Sequence, residues 1–256
     1  MKADMNIPGG GLPPFWQIAE NPAPDLGWPK YGLIHWAWLF AGAVTIFLLL
    51  MLYRKLSPKS RKIMAWLVVS IQLLNELDTQ VMLISTGQWT ISDLPLHMCS
   101  LTEIVFLIHI IHPSRMMSAI VYAIAFPSAI LGLFLPTWSV LPLWNFAAIH
   151  SIVFHFTMIL YSLMLFVDGY RPRLADLKKA LVPILAVSAA VFIFNKIAGT
   201  DFMYTNGGKG VGFLEALVGV LGNYGYLIIF PALLVVIWGV MFLPFEIYER
   251  RKKETQ

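Results

Sequence analysis

Charge and cysteine are what this 256-residue chain has least of. Only 12% of its residues are Asp, Glu, Lys or Arg, about half the share that covers a water-facing surface. Hydrophobic residues make up 58%, and the mean hydropathy is +0.72. That deficit of charge excludes a soluble fold. The single cysteine, Cys99, excludes an internal disulfide and any multi-thiolate zinc or iron–sulfur site. The net charge of +4 is small, and no basic stripe runs along a polar face, so nucleic acid is not expected as a partner. No internal repeat, long linker or large polar domain interrupts the apolar runs. What remains is a polytopic membrane protein of one domain.

A membrane helix needs about 20 predominantly apolar residues at about 1.5 Å each. Seven segments meet that test: residues 32–53, 63–85, 91–111, 116–135, 145–167, 177–197 and 217–245. The seventh is long enough to tilt or to extend past the interface. The expected fold is therefore an all-α membrane protein, a seven-transmembrane-helix bundle spanning residues 31–247. Residues 1–30 form a Pro/Gly-rich lead with Gly9-Gly10-Gly11, Pro13-Pro14, Pro22, Pro24 and Pro29. It lacks a signal peptide's apolar core, and Phe15, Trp16 and Trp28 suit an interfacial position. Residues 248–256 form a basic tail.

The basic residues sort sharply between the two sides. Arg54, Lys55, Lys59, Arg61, Lys62, Arg115, Arg171, Arg173, Lys178, Lys179, Arg250, Arg251, Lys252 and Lys253 fall on one side. Lys2, Lys30, Lys196 and Lys209 fall on the other. The positive-inside rule then sets the N-terminus outside and the C-terminus in the cytoplasm. An odd number of spans likewise requires the two termini to lie on opposite sides. Short loops suit the cytoplasmic membrane of a cell.

Ionisable groups in hydrocarbon are costly, so each is a functional candidate. The second span carries Gln72, Asn75, Glu76, Asp78 and Gln80; the third carries Asp93, His97, Cys99, Ser100, Glu103 and His109. Asn145, His150, Ser151 and His155 lie in the fifth, Asn195 ends the sixth ahead of Thr200 and Asp201, and Asn223 and Tyr224 open the seventh. On regular helices Cys99 lies about 12 Å in and His150 about 8 Å in from the outer side. Polar groups from five helices thus converge on one layer beneath the outer headgroups, as one pocket requires. Cys99 and Glu103 share a helical face, as do Asp93 and His97. His97 and Cys99 point about 200° apart unless Pro95 distorts the first turn. Against this stand plainer roles: a membrane cysteine acting as a small hydrophobe, and His, Gln and Asn as helix–helix glue. The basic clusters serve as topology determinants first and anionic-lipid contacts second.

Several segments resemble the YwaF family of integral membrane proteins, to which the transmembrane protein 164 acyltransferases are related. These are Leu94-Pro95-Leu96-His97-Met98-Cys99-Ser100, His150, Asp168-Gly169-Tyr170-Arg171-Pro172, Asn195 with residues 199–204, and Leu243-Pro244-Phe245. The resemblance implies acyl transfer on a membrane phospholipid or lysophospholipid within the bilayer. It implies that Cys99 carries the acyl group as a thioester and that His150 serves as general base. Asn195, Asn223 and Thr200 are candidate donors to the oxyanion; His97, Glu76 and Glu103 are candidates to orient the base. Many family members have Asn where this chain has Asp201, and an ionised carboxylate only accepts. No cofactor or metal is expected. Two rival readings remain at this point. One is a non-enzymatic seven-helix protein that binds or transports lipids or small molecules. The other is a metal or haem site on His97, His150 and His155, against which the missing Glu-x-x-His and His-x-x-x-His spacings count.

Overall fold

The computed structural model describes residues 12–19, 26–207 and 212–254. Among the described residues every regular element is helical. The helices are α1 (Leu33–Lys55), α2 (Pro58–Ser85), α3 (Met98–Ile111), α4 (Arg115–Phe134), α5 (Phe146–Val167), α6 (Leu174–Ala198) and α7 (Gly212–Glu254). Six are long and apolar enough to cross a membrane: α1, α2, α4, α5, α6 and the Pro231–Lys252 part of α7. Apolar residues in such helices bury their backbone polar groups in their own hydrogen bonds, which hydrocarbon demands. The chain is an all-α, multi-pass membrane protein.

Two of the seven expected spans differ from their sequence pattern. The third, expected over 91–111, is helical only from Met98. Thr90 and Asp93 form a capping box around the short turn Ile91–Asp93, and Pro95 lacks the N–H that a helix would use. The chain therefore stays out of the helix as far as His97 (φ −68°, ψ 153°), with a tight turn across Pro95 in which Leu96 N–H donates to Leu94 O. The seventh is broken at Gly222, whose φ of 67° and ψ of 171° lie outside helical geometry. Glycine adopts that left-handed φ without strain, and other residues do not. A short apolar helix, Leu214–Asn223, ends at the break. Helix α7 runs on through Glu254, so residues 248–254 of the expected basic tail are helical. Gly9-Gly10-Gly11, Pro22, Pro24, Lys2 and Lys209 lie outside the described residues, as does the side chain of Tyr224.

The chain divides into two units, residues 1–89 with 129–160 and residues 90–128 with 161–256. In the first unit, Trp28, Trp138, Leu141, Ala148 and Ile152 form a buried cluster. Gly27 has no room for a side chain there, since a Cβ would sit 2.8 Å from Ser139 O. Asn145 gathers the N-terminal segment. Its buried amide donates to Pro14 O (2.8 Å), Phe15 O (3.2 Å) and Gln17 O (2.9 Å), while its Oδ1 accepts the Ala148 N–H at the start of α5. His35 of α1 is buried and fully bonded: Tyr31 N–H donates to Nδ1 and Nε2–H donates to Leu133 O. Helix α1 meets α5 so closely that a Cβ on Gly42 would overlap the Phe156 ring.

In the second unit, Val191, Phe202 and Met203 form a core against Leu94, Leu96, Met98, Leu101 and Phe194. His109 bonds Tyr161 Oη (2.9 Å) and Ser118 Oγ (3.0 Å), which uses both ring nitrogens to join α3, α4 and α5. Helix α5 ends as Tyr170 N–H reaches back to Leu165 O across Gly169, whose φ is +93°, the pattern of a glycine-terminated helix. The buried carboxylate of Asp176 then accepts from both Arg115 (Nη2 2.8 Å) and Arg173 (Nε 3.0 Å).

Candidate functional site

Cys99 is the second residue of α3, not a residue midway down a span. The turn across Pro95 and the non-helical backbone of His97 move the helix start to it. The first intrahelical bond here runs from Leu101 N–H to His97 O, so the N–H groups of Met98, Cys99 and Ser100 have no acceptor inside the helix. The half-buried Cys99 thiol lies near the Cys99 and Ser100 N–H groups and the Ser100 hydroxyl. The positive partial charge of a helix N-terminus offsets part of what burial costs a thiolate at this position. Glu103, one turn on and buried, is in electrostatic range and opposes that charge.

The segment 200–206 packs against the same end of α3. Asn195 of α6 holds it with a fully buried amide. Nδ2 donates to Phe202 O (2.8 Å) and Thr205 Oγ (2.7 Å), and Oδ1 accepts from Thr200 Oγ (2.8 Å) and Phe202 N–H (3.0 Å). Both amide hydrogens are therefore occupied, and Asn195 and Thr200 are committed to shaping this loop. Asp201 accepts the Asn206 N–H, a task a carboxylate performs well. The loop turns through two left-handed residues with side chains, Met203 (φ 54°) and Tyr204 (φ 56°). It delivers the Met203 N–H to His97 Nδ1 at 3.4 Å and sets the His97 ring against Phe202 and Tyr204. Burial raises the Tyr204 phenol above its ordinary value, and the neighbouring Cys99 and Asp201 add to the rise. Cys99, His97, Glu103, Asn195, Thr200 and Asp201 thus belong to one unit.

Glu76 and His150 belong to the other. The Asn75 amide donates to His150 O at 3.2 Å, tying α2 to α5. The His150 ring stacks between Phe146 and Phe154, and its Nε2 is buried with no hydrogen-bond partner. His155 directs Nδ1 to Ser151 O at 2.6 Å, one turn back. Glu76 accepts from Gln80 (2.7 Å), whose carbonyl accepts the Trp89 indole N–H (2.9 Å). Asp93 is likewise absorbed locally, accepting the Thr90 N–H at 2.7 Å. Asn223 is exposed, directly after the Gly222 break. No group of three or more His, Cys, Asp or Glu among the described residues is arranged to hold a metal ion.

Sequence reasoning missed the parts of this site that are backbone. The Met203 N–H and the N–H groups opening α3 carry no side-chain signal. Pro95 was the one available indication that α3 begins late.

A helical, multi-pass membrane protein with a thiol at a helix start is the class that these observations define. Residues 30–242 match the TMEM164 family, and the chain belongs to it. Neither a curated protein nor a solved structure matches the chain.

Proposed function

We propose that this protein is an acyltransferase of membrane phospholipids that works through a thioester on Cys99, with His150 as general base. The observation that carries the reading is the Cys99 thiol at the N-terminus of α3, beside backbone N–H groups that the helix leaves without acceptors. A thiol in apolar surroundings is otherwise inert. Here the N–H groups that open α3 offset part of that inertness, and they also suit the oxyanion that follows attack. Membership of the TMEM164 family and the buried, unpartnered Nε2 of His150 support the choice of base. A polar atom left unpaired in this way costs about 1–3 kcal/mol, a cost that a catalytic proton carrier repays in function.

In the first half-reaction His150 takes the thiol proton and Cys99 Sγ attacks the ester carbonyl carbon of a donor phospholipid. The C–S bond forms, the carbonyl becomes an oxyanion, and its collapse breaks the C–O bond. His150 returns the proton to the departing lysolipid oxygen. In the second half-reaction the hydroxyl of an acceptor lysophospholipid loses its proton to His150 and attacks the thioester carbonyl. The C–S bond breaks, and the proton returns to sulfur. Exclusion of water by the lipid environment favours transfer over hydrolysis.

The reading includes seven crossings, with α3 and its extended lead-in as the third. The N-terminus faces outward and the C-terminus the cytoplasm, following the basic residues, and the cell's cytoplasmic membrane is the site of action. It is tested by following a labelled acyl chain from phosphatidylcholine to lysophosphatidylcholine in vesicles containing the protein. Cys99→Ala and His150→Ala are expected to abolish transfer. Full activity in both would overturn the assignment.

A further inference from the structure

His97 has no task in the acyl-transfer scheme. It precedes Cys99 by two residues, occupies the N-cap of α3 with extended backbone, and makes no capping bond with its side chain. Its ring lies edge-on to Phe202 at 5.3 Å and tilted to Tyr204 at 5.4 Å. The contact that defines its chemistry is the Met203 N–H, which donates to Nδ1 at 3.4 Å. A backbone N–H only donates, so Nδ1 must present a lone pair. A neutral imidazole has one donor and one acceptor nitrogen, and the proton therefore sits on Nε2. Protonating Nδ1 would set N–H against N–H.

The surroundings divide on the ring's charge. The positive end of α3 opposes an imidazolium, whereas Asp201 from the loop, in electrostatic range, favours it. Cys99 and Glu103 on α3 and Tyr204 on the loop are further titratable groups near this end of the helix. The loop geometry decides for the neutral form. Met203 and Tyr204 hold left-handed backbone at about 1–2 kcal/mol each, and the Asn195 amide grips both the N–H and the C=O of Phe202. That is a strained construction for a segment whose hydrogen bond to His97 is one N–H. No described residue bonds Nε2, and the ring is half-buried.

We infer that His97 donates its Nε2–H to the oxyanion formed when Cys99 attacks the acyl carbonyl, and that it never serves as the base. The inference rests on the acyl-transfer reading. The proton stays on Nε2 throughout, so no bond at His97 is made or broken. A neutral imidazole kept uncharged by a helix N-terminus can polarise a carbonyl in this way.

The test has two arms. The full chain, labelled with 15N-histidine, is reconstituted in phosphatidylcholine nanodiscs at pH 7.5, and the His97 signals are identified by their loss in His97→Gln. A proton on Nε2 is expected; a proton on Nδ1 or a doubly protonated ring overturns the inference, whatever the activity. The second arm follows acyl transfer from phosphatidylcholine to lysophosphatidylcholine. A glutamine amide in place of the imidazole offers an acceptor to Met203 and a donor to the oxyanion, so His97→Gln keeps kcat within about tenfold of the parent. His97→Ala lowers kcat by about 100-fold with KM little changed, the loss expected of one oxyanion donor. Equal losses in the two variants overturn the donor role. A parent protein that carries the expected tautomer but transfers no acyl chain overturns the acyl-transfer reading, and the oxyanion role falls with it.

Discussion

Replacing Asn195 by alanine tests whether one buried amide holds the 200–206 loop against α3. Four hydrogen bonds go with it: two donated, to Phe202 O and Thr205 Oγ, and two accepted, from Thr200 Oγ and Phe202 N–H. At about 1 kcal/mol net for each bond, the loss favours opening of the loop by about 4 kcal/mol. The strain at Met203 and Tyr204 works in the same direction and is already present in the parent. With about 1.4 kcal/mol per decade, opening becomes roughly 500- to 1,000-fold more frequent. Hydrogen-exchange mass spectrometry in detergent reads this directly on peptides covering 200–206. Thr205→Val removes one of the four bonds and also the donation from Thr205 Oγ1 to Phe202 O (3.3 Å), and is expected to speed exchange about 5- to 30-fold. Exchange of the 200–206 peptides in Asn195→Ala within about threefold of the parent would refute the reasoning. So would an equal rise across all helices, which would mean that the amide stabilises the whole protein instead of this loop.

Further outcomes follow from the packing. Gly42→Ala sets a Cβ into the Phe156 ring and lowers stability by about 1–3 kcal/mol; thermal unfolding in detergent measures the loss, and Phe156→Leu in the same chain should recover part of it. Gly132→Ala acts alike on His155, whose Nε2 would overlap the new Cβ. Asp176→Asn takes the carboxylate from Arg115 and Arg173, which are about half exposed. The expected cost, after allowance for solvent screening, is about 2 kcal/mol, and the gap from the parent should narrow at high salt.

The apolar spans were legible because hydrocarbon leaves a coarse signal, and six of the seven segments coincide with helices long enough to cross. The third differs because local chemistry overrides hydropathy. Its residues are apolar enough, but the Thr90–Asp93 capping box and Pro95 keep the chain out of the helix until Met98. The late start changes the chemistry open to Cys99. A thiol eight residues into a span is a buried hydrophobe, and the same thiol at a helix start meets N–H groups without helical acceptors. Asn195 stands out in the sequence as an amide at the end of an apolar span. Whether such an amide faces substrate or clamps a loop depends on backbone that no residue pattern encodes. Arg115 and Arg173 drew notice only as topology determinants. The hold of Arg115 on Asp176 joins residues 61 positions apart, beyond any local pattern. His35 carried a signal that went unused, a lone imidazole in an apolar first span, and it proves to be fully bonded.

The account depends most on Cys99 carrying the acyl group. Intact-protein mass spectrometry of the purified chain after exposure to phosphatidylcholine vesicles tests it in one step. The account predicts a mass increase of one fatty-acyl group, mapped to Cys99, released by hydroxylamine and absent from Cys99→Ala. An unmodified parent protein that still transfers acyl chains between lipids, or an adduct that persists in Cys99→Ala, would contradict it.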